Sequence, residues 1–189
     1  MTVLEEFARD LPLVCIQGLG FVGAAMAVAV ACAEDDQNQP YYNVAGIDLP
    51  SLAGKERAQA INMGVLPFDS TDEKLKSLLS KCAARNNLCA SFDNKYFEVA
   101  DIIVVDIPLD LEFSTIEEGI DVKFEPFQAA ITTLGMKVKK NCLIVIETTV
   151  PPGTCEKIVL PIMEDCFRKR NMDPEDILGE WLHEDEESV

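Results

Sequence analysis

The sequence has 189 residues, 48% of them hydrophobic, and its 33 acidic side chains outweigh 16 Lys and Arg to give a formal net charge of −17. Because such a chain repels nucleic-acid phosphates and anionic lipid surfaces, we expect neither a nucleic-acid nor a membrane partner. The apolar content suits one folded domain. No apolar run reaches the roughly 18 to 20 residues of a membrane span, and the acidic start is unlike a secretory signal. The sequence therefore predicts a cytoplasmic protein.

The first predicted elements are two strands on either side of an apolar helix. Leu13–Ile16 is a short apolar run that ends at Gly18, and it predicts a buried strand. Phe21–Ala33 is small and apolar almost without interruption, which predicts a buried helix. After a polar insert at about residues 34–42, the run Asn43–Asp48 predicts a second strand.

The middle of the chain alternates helical and extended patterns. Helical periodicity covers Leu52–Met63 and Glu73–Cys82. Leu88–Ala90 is a weak strand candidate, whereas Ile102–Val105 is a strong one because all four of its residues are β-branched. The long acidic stretch Leu109–Val122 shows no clear period, and we expect it to be irregular.

The last part of the chain repeats the alternation. Glu125–Val138 predicts a helix, Leu143–Ile146 a buried strand and Thr154–Arg170 a helix, and Asp176–Gly179 matches the start of a further strand. Continuous apolar strands that alternate with helices predict a mostly parallel sheet with helices on both faces. Since crossovers in such sheets are right-handed, the predicted fold is α/β, doubly wound and of the Rossmann type.

Gly18, Gly20 and Gly23 form the pattern G-x-G-x-x-G between the first strand and the first helix. This context gives the pattern its meaning, because dinucleotide-binding turns join a strand to a helix. The first glycine permits the tight turn, the second lets a pyrophosphate approach the backbone, and the third lets the helix pack on the strand. The helix N-terminus adds free N–H groups and a partial positive charge. We therefore expect a dinucleotide at this turn.

Asp48, at the end of the second predicted strand, is the expected acceptor for the adenosine ribose. It lies about 30 residues after Gly18 instead of the usual ~20, and the polar insert accounts for the difference. A carboxylate at this place accepts hydrogen bonds from both ribose hydroxyls and repels a 2′-phosphate, which favours NAD over NADP. No arginine follows Asp48 directly, since Lys55 and Arg57 lie several residues on, in the next predicted helix.

Three further segments resemble signatures of the UDP-glucose/GDP-mannose dehydrogenase family. Glu147–Thr154, which reads E-T-T-V-P-P-G-T, closely resembles one of them. Ile61–Phe68 looks like the family's I-N-x-G-x-x-P segment, and Ala100–Asp110 is similar to its fourth strand and the loop behind it. With the glycine turn, the resemblance covers about residues 13–162 in the family's order and spacing.

The resemblance implies an NAD-dependent oxidoreductase of polysaccharide biosynthesis. Such enzymes oxidise a UDP- or GDP-sugar, at the C6 hydroxyl to a carboxylate or, in some relatives, at the C3 hydroxyl to a ketone. Thr149 matches a family threonine near the nicotinamide that helps to orient the reactive water, and it is the expected catalytic residue. The cofactor-binding residues that the pattern and the resemblance together predict are Gly18, Gly20, Phe21, Val22, Gly23, Asp48, Pro108, Thr149 and Glu156.

The chain also departs from the family. Where Val-Pro-Thr-Pro is usual, this sequence has V-D-I-P at Val105–Pro108, so Ile107 replaces a cofactor-facing hydroxyl and Asp106 adds a charge. Cys155 stands where a second threonine is common. Because no histidine or lysine base is evidently placed to activate it, we interpret Cys155 as a structural thiol and not as a nucleophile.

Cysteine and histidine usage limits the other kinds of chemistry. The seven cysteines are odd in number and include no Cys-x-x-Cys pair, which predicts reduced thiols and neither a disulfide framework nor a metal site. The single histidine, His183, lies in the acidic end of the chain, so a mechanism that needs a core histidine base is hard to place.

Residues 1–178 are predicted to be an NAD-binding Rossmann domain, and residues 179–189 an acidic, solvated tail. The family's second α/β domain, with its lysine, asparagine and nucleophilic cysteine, does not appear in the sequence. We therefore expect a truncated chain that binds NAD weakly, is inactive alone, forms a homo-oligomer and meets its nucleotide-sugar substrate only in the full-length enzyme. Two alternatives stay open: a non-catalytic NAD-binding or regulatory module, and the first domain of a 6-phosphogluconate/hydroxyacid-type dehydrogenase.

Overall fold

The structure, a computed structural model, describes residues 7, 10–113 and 120–175, and only the backbone of 110–113 and 120–122. Within this part of the chain, one sheet has five strands: β1 (Leu13–Gln17), β2 (Asn43–Ile47), β3 (Leu88–Ser91), β4 (Ile102–Val105) and β7 (Leu143–Ile146). Their spatial order is β3-β2-β1-β4-β7 and every neighbouring pair is parallel. The predicted doubly wound, Rossmann-type α/β fold is confirmed.

The strand order reverses at the centre of the sheet. From β1 the chain proceeds to β2 and β3 on one side, and then returns to place β4 and β7 on the other side. In open parallel sheets of this kind, ligands bind in the crevice outside the carboxyl ends of the strands at the point of reversal. The turn after β1 and the loop after β4 therefore border the expected binding crevice.

The central strand β1 contributes to two hydrophobic cores, one on each face of the sheet. All five of its residues are buried. Leu13 and Cys15 face the core beneath the helices that follow β6 and β7, whereas Val14 and Ile16 face the core beneath the helices that follow β1 and β2. Because both faces are covered, Leu13–Ile16 are all apolar and do not alternate with polar residues, and only the last residue, Gln17, is polar.

Helices cover both faces of the sheet: α1 (Phe21–Ala31), α2 (Leu52–Asn62), α3 (Glu73–Arg85), α4 (Glu125–Gly135) and α5 (Leu160–Lys169). Local sequence accounts for several of their ends. The Asp72 side chain accepts hydrogen bonds from the first backbone N–H groups of α3, and Asn86 ends that helix in the left-handed conformation at φ 53°. No helix of the described residues has the length and apolar character that a bilayer span requires.

The structure corrects the prediction for Leu109–Val122, which is not irregular throughout. It contains two antiparallel strands, β5 (Asp110–Phe113) and β6 (Ile120–Lys123), which pair with each other outside the main sheet. The predicted helix from Thr154 begins as a π-helical turn at Cys155–Val159 before α5. A 3₁₀ helix at Asn94–Glu98, which the pattern did not indicate, precedes β4.

The polar insert between α1 and β2 is anchored to α3. Glu34 accepts hydrogen bonds from the Lys81 ammonium, at 2.7 Å, and from the Arg85 guanidinium. These two partners, Lys81 first, lower the pKa of the Glu34 carboxyl. The predicted strand at Asp176–Gly179, the predicted domain boundary after residue 178 and the acidic tail lie outside the described residues.

Candidate functional site

Hydrogen bonds join the carboxyl ends of four neighbouring strands into one row. The backbone N–H of Gly18, after β1, donates to the carbonyl of Ile47 at the end of β2. The N–H of Asp106, after β4, donates to the carbonyl of Gln17 at the end of β1. The first two N–H groups after β7 both donate to the carbonyl of Val105 at the end of β4. The segments predicted to bind the cofactor therefore follow one another along a single edge of the sheet.

Two of the three glycines in the turn are required by close backbone contacts. A Cβ on Gly18 would lie 2.2 Å from the carbonyl oxygen of Asp106, and Gly18 has a φ of +99°, which side chains rarely adopt. A Cβ on Gly23 would lie 2.0 Å from the carbonyl oxygen of Gly18. The turn is thus packed against itself and against the loop after β4, with no room for any other residue.

Gly20 differs, because a Cβ there would meet no atom within 4 Å. It stands at the N-cap of α1 and, as a glycine, supplies no side-chain cap of its own. The next two side chains, Phe21 and Val22, are exposed. A helix N-terminus whose N-cap residue has no side chain allows a pyrophosphate to approach the backbone N–H groups there. The residues of this turn therefore fit a dinucleotide.

The segment Ile61–Phe68 lies beside the glycine turn. The Asn62 carboxamide bonds to both backbone groups of Ala90, at 2.8 Å to its carbonyl oxygen and 2.7 Å from its N–H, and so ties α2 to the edge strand β3. Further along, the Phe68 ring packs against the ring of Phe21, with centroids 4.6 Å apart. The sequence resemblance identified this segment without indicating its role, and the structure places it against the glycine turn.

Asp48 follows β2 as predicted, but its carboxylate has a partner that the prediction missed. Arg57 of α2 reaches back to it, with 2.7 Å from Nε to Oδ2 and 3.2 Å from Nη2 to Oδ1. The backbone N–H of Leu49 also donates to Oδ1, at 2.7 Å. As a result only 6% of the Asp48 side chain is exposed. Spacing along the chain suggested that Arg57 lies too far from Asp48. In the structure, one and a half turns of α2 bring the long Arg57 side chain back over the end of β2.

A cleft of about 520 Å³ opens between the ends of β4 and β7, lined by Asp106, Pro108, Leu109, Thr148, Thr149, Val150 and Pro151. Thr149, the expected catalytic residue, is exposed in this cleft. Thr148 is buried instead, and its hydroxyl accepts the N–H of Ile107 at 2.9 Å and donates to the carbonyl of Val105 at 3.3 Å. The Thr-Thr pair thus divides its tasks, since one hydroxyl holds the two strand ends together and the other faces the cleft.

The two departures from the family pattern after β4 lie on different sides of the loop. Ile107 is half-buried against the hydrophobic core and does not line the cleft. Asp106 does line it. Burial raises the pKa of the Asp106 carboxyl, and the backbone N–H of Gly23, which stabilises the charged form, offsets part of this effect. The charge added by Asp106 therefore faces the cleft. The hydroxyl that Ile107 replaces does not leave a gap in the lining of the cleft, because Ile107 does not line it.

Cys155 and Glu156 lie on the π-helical turn beyond the cleft. Cys155 is half-buried against the core, and burial, followed by the charge of Glu156, raises the pKa of its thiol. A thiol with a raised pKa is a poor nucleophile at neutral pH, in keeping with a structural role. Glu156 is exposed and does not line the cleft, so its predicted contact with the cofactor gains no support from the geometry.

Comparison with protein families gives a match over residues 12–178 to the model of the UDP-glucose/GDP-mannose dehydrogenase family, NAD binding domain. Among curated proteins, the chain is 26% identical to UDP-N-acetyl-D-mannosamine dehydrogenase of Methanococcus aeolicus, over 79% of this chain and 30% of the relative. It is 29% identical to GDP-mannose 6-dehydrogenase of Pseudomonas syringae pv. tomato, over 83% of this chain and 33% of the relative. The chain thus spans about a third of the length of these relatives.

Solved structures agree on the fold. NDP-N-acetyl-D-galactosaminuronic acid dehydrogenase from Methanosarcina mazei superposes with a TM-score of 0.70 at 23% identity, over 87% of this chain and 34% of that one. GDP-mannose dehydrogenase from Pseudomonas aeruginosa superposes with a TM-score of 0.63 at 23% identity, over 81% and 32% of the two chains. At these identities the structural likeness is a statement about the fold.

Proposed function

Because this chain belongs to the UDP-glucose/GDP-mannose dehydrogenase family and comprises its NAD-binding domain, we propose that it supplies the cofactor site of an enzyme that oxidises a nucleotide sugar. The NAD-dependent oxidoreductase class follows from the family. The reaction at the sugar is the proposal, since the matched part of this chain spans only about a third of the curated relatives that carry sugar-nucleotide names.

The observation that carries the proposal is the open space at Gly20 between two sterically closed glycines. Gly18 and Gly23 admit no side chain for reasons internal to the fold, whereas a side chain at Gly20 would meet nothing. Internal packing does not account for the glycine at position 20, but a phosphate that approaches the backbone there does. The pyrophosphate is therefore assigned to the first turn of α1, with the adenosine toward Asp48 and the nicotinamide toward Thr149.

The pair formed by Asp48 and Arg57 sets the choice between the two nicotinamide cofactors. Three of the roughly four acceptor positions of the carboxylate are occupied, which leaves one for a ribose hydroxyl where the sequence suggested two, and the negative charge opposes a 2′-phosphate. The positive charge of Arg57, which lies beside the Asp48 carboxylate, reduces the repulsion of a 2′-phosphate. We expect calorimetric titration of the chain to give tighter binding of NADH than of NADPH, and Arg57→Ala to widen the difference by weakening NADPH binding more.

Asp48→Asn is the matched variant, because it removes the charge and keeps the size of the side chain. It should narrow the difference between NADH and NADPH, with circular dichroism confirming that the fold is retained. Equal affinities of the unaltered chain for the two cofactors would overturn the assignment of the ribose to Asp48. Failure of the folded chain to bind either dinucleotide would overturn the proposed function itself.

Thr149 is proposed to act beside the nicotinamide, which supplies the hydride acceptor when NAD is bound. The described lining of the cleft includes no cysteine, histidine or lysine that could serve as a nucleophile or base. We therefore expect no formation of NADH when this 189-residue chain is mixed with NAD and either UDP-glucose or GDP-mannose. Steady NADH formation, followed by its absorbance, with either of these nucleotide sugars would show that the chain itself contains a complete active site.

A further inference from the structure

Asp106 places a carboxylate between the cleft and the helix that is assigned to the pyrophosphate. Of the described residues that line the cleft, Asp106 alone is ionisable. Its Oδ2 lies 2.9 Å from the position that a Cβ on Gly23 would occupy, so it touches the first turn of α1. Its backbone N–H is held by the carbonyl of Gln17, which fixes the residue at the end of β4.

The elements around this carboxylate bring little positive charge to it. The glycine turn has no titratable side chain, and β1 ends in the neutral Gln17. Beyond β7, Glu147 and Glu156 are acidic, Cys155 is a thiol with a raised pKa, and the Lys157 side chain packs back on the Pro-Pro-Gly turn near Gly153. None of the described lysines and arginines forms an ion pair with Asp106.

We propose that Asp106 determines the affinity of the cofactor site, because its ionised carboxylate competes with the dinucleotide pyrophosphate for the positive end of α1, so that the cofactor binds together with a proton. This inference rests on the proposed NAD site. A helix N-terminus stabilises an anion, and two anions at the same end repel each other through a poorly solvated space. The bound pyrophosphate therefore favours the protonated form of Asp106.

The sign of the pH dependence follows from this linkage. Burial already raises the pKa of Asp106 in the free chain, and a nearby dianion raises it further. Protonated Asp106 no longer repels the cofactor. The affinity should thus increase as the pH falls through the titration of Asp106, and cofactor binding should be accompanied by proton uptake over the pH range in which Asp106 titrates.

The test is calorimetric titration of the 189-residue chain with NAD and with ADP-ribose, which keeps the pyrophosphate and lacks the nicotinamide. At about pH 8, Asp106→Asn should bind both ligands roughly tenfold more tightly than the unaltered chain. The difference between the two proteins should narrow as the pH is lowered toward about 5, because the raised pKa of the native carboxyl makes an increasing fraction of it neutral. Titrations in two buffers of different ionisation enthalpy should show proton uptake for the native chain and much less for the variant.

Glu98→Gln is the control, since it also removes one negative charge but lies before the start of β4, whereas Asp106 follows its end. There Glu98 pairs with Lys137 at 2.7 Å. It should leave both affinities unchanged, which separates a local effect from the large net charge. If native chain and Asp106→Asn bind with the same affinity at both pH values, the inference is wrong and the NAD site stands. Weaker binding by the variant would also overturn it and make Asp106 a support for the glycine turn. No binding by any of the three proteins would instead refute the site itself.

Discussion

A methyl group added at Gly20 would enter open space at the start of α1, whereas one added at Gly18 would lie 2.2 Å from a backbone oxygen. We therefore expect Gly20→Ala to keep the stability of the native chain and to lose about tenfold or more in NADH affinity, because the methyl group stands where a phosphate approaches. Gly18→Ala should lose about 2 kcal/mol or more of unfolding free energy. Thermal unfolding and calorimetric titration measure the two effects.

Gly153→Ala separates the two causes of strain at Gly18. Gly153 also has a positive φ, of 80°, but a Cβ there would meet only the flexible Lys157 side chain at 3.5 Å. The cost should be about 1 kcal/mol, which reflects the backbone conformation without the clash. An unfolded Gly20→Ala, or a Gly18→Ala as stable as the native chain, would show that the turn is not packed as the structure has it.

At the scale of single residues, sequence predicted which of the candidate side chains stand at the ends of strands. The glycines, Asp48 and Thr149 stand at strand ends, and strand ends are visible as the close of an apolar run. The Asp48–Arg57 ion pair was not predictable in this way, because it depends on how helix α2 turns back over the sheet. The buried hydroxyl of Thr148 was equally hidden, since neighbouring threonines look alike until the strand end is built.

At the scale of elements, Asn62 completes the edge of the sheet in place of another strand. Its carboxamide satisfies both backbone groups of Ala90 in β3. Asn62→Ala leaves these two groups without that partner, and we expect it to lower the free energy of unfolding by about 2 kcal/mol, measured by urea denaturation. Gln59→Ala, an exposed position on the same helix, is the control and should change it by less than about 0.5 kcal/mol. Equal urea midpoints for the two variants would contradict this role for Asn62.

Helices and central strands were predictable because burial on both faces leaves long apolar runs between polar breaks. The paired strands β5 and β6 were missed, although D-L-E-F at Asp110–Phe113 and I-D-V-K at Ile120–Lys123 both alternate polar and apolar residues. Their high acidic content and their separation in the chain obscured this period of two. The start of the helix after the Pro-Pro-Gly turn was placed correctly, but its π-helical first turn has no sequence signature of its own.

At the scale of the whole molecule, the described residues leave one face of the edge strand β7 uncovered. Ile144 and Ile146 of β7 pack against the core, but the alternate residues Leu143 and Val145 are 54% and 40% exposed. Among the described residues, β7 has a strand neighbour on only one side. An exposed apolar edge strand without a charged side chain favours pairing with another chain. Since an identical edge is always available on a second copy, the predicted homo-oligomer is expected to form here.

The prediction is that the chain self-associates at high concentration through β7, and that Leu143→Lys combined with Val145→Lys makes it monomeric, because charges at both exposed positions of the strand repel the second copy. Light scattering coupled to size-exclusion chromatography measures the mass of each. Leu52→Lys is the matched control, since it changes an even more exposed leucine, on α2, and should leave the association unchanged. If the native chain is a monodisperse monomer at every concentration, the exposed face of β7 has no affinity for itself. If Leu52→Lys also abolishes the association, the contact involves general hydrophobic exposure and not the edge of the sheet.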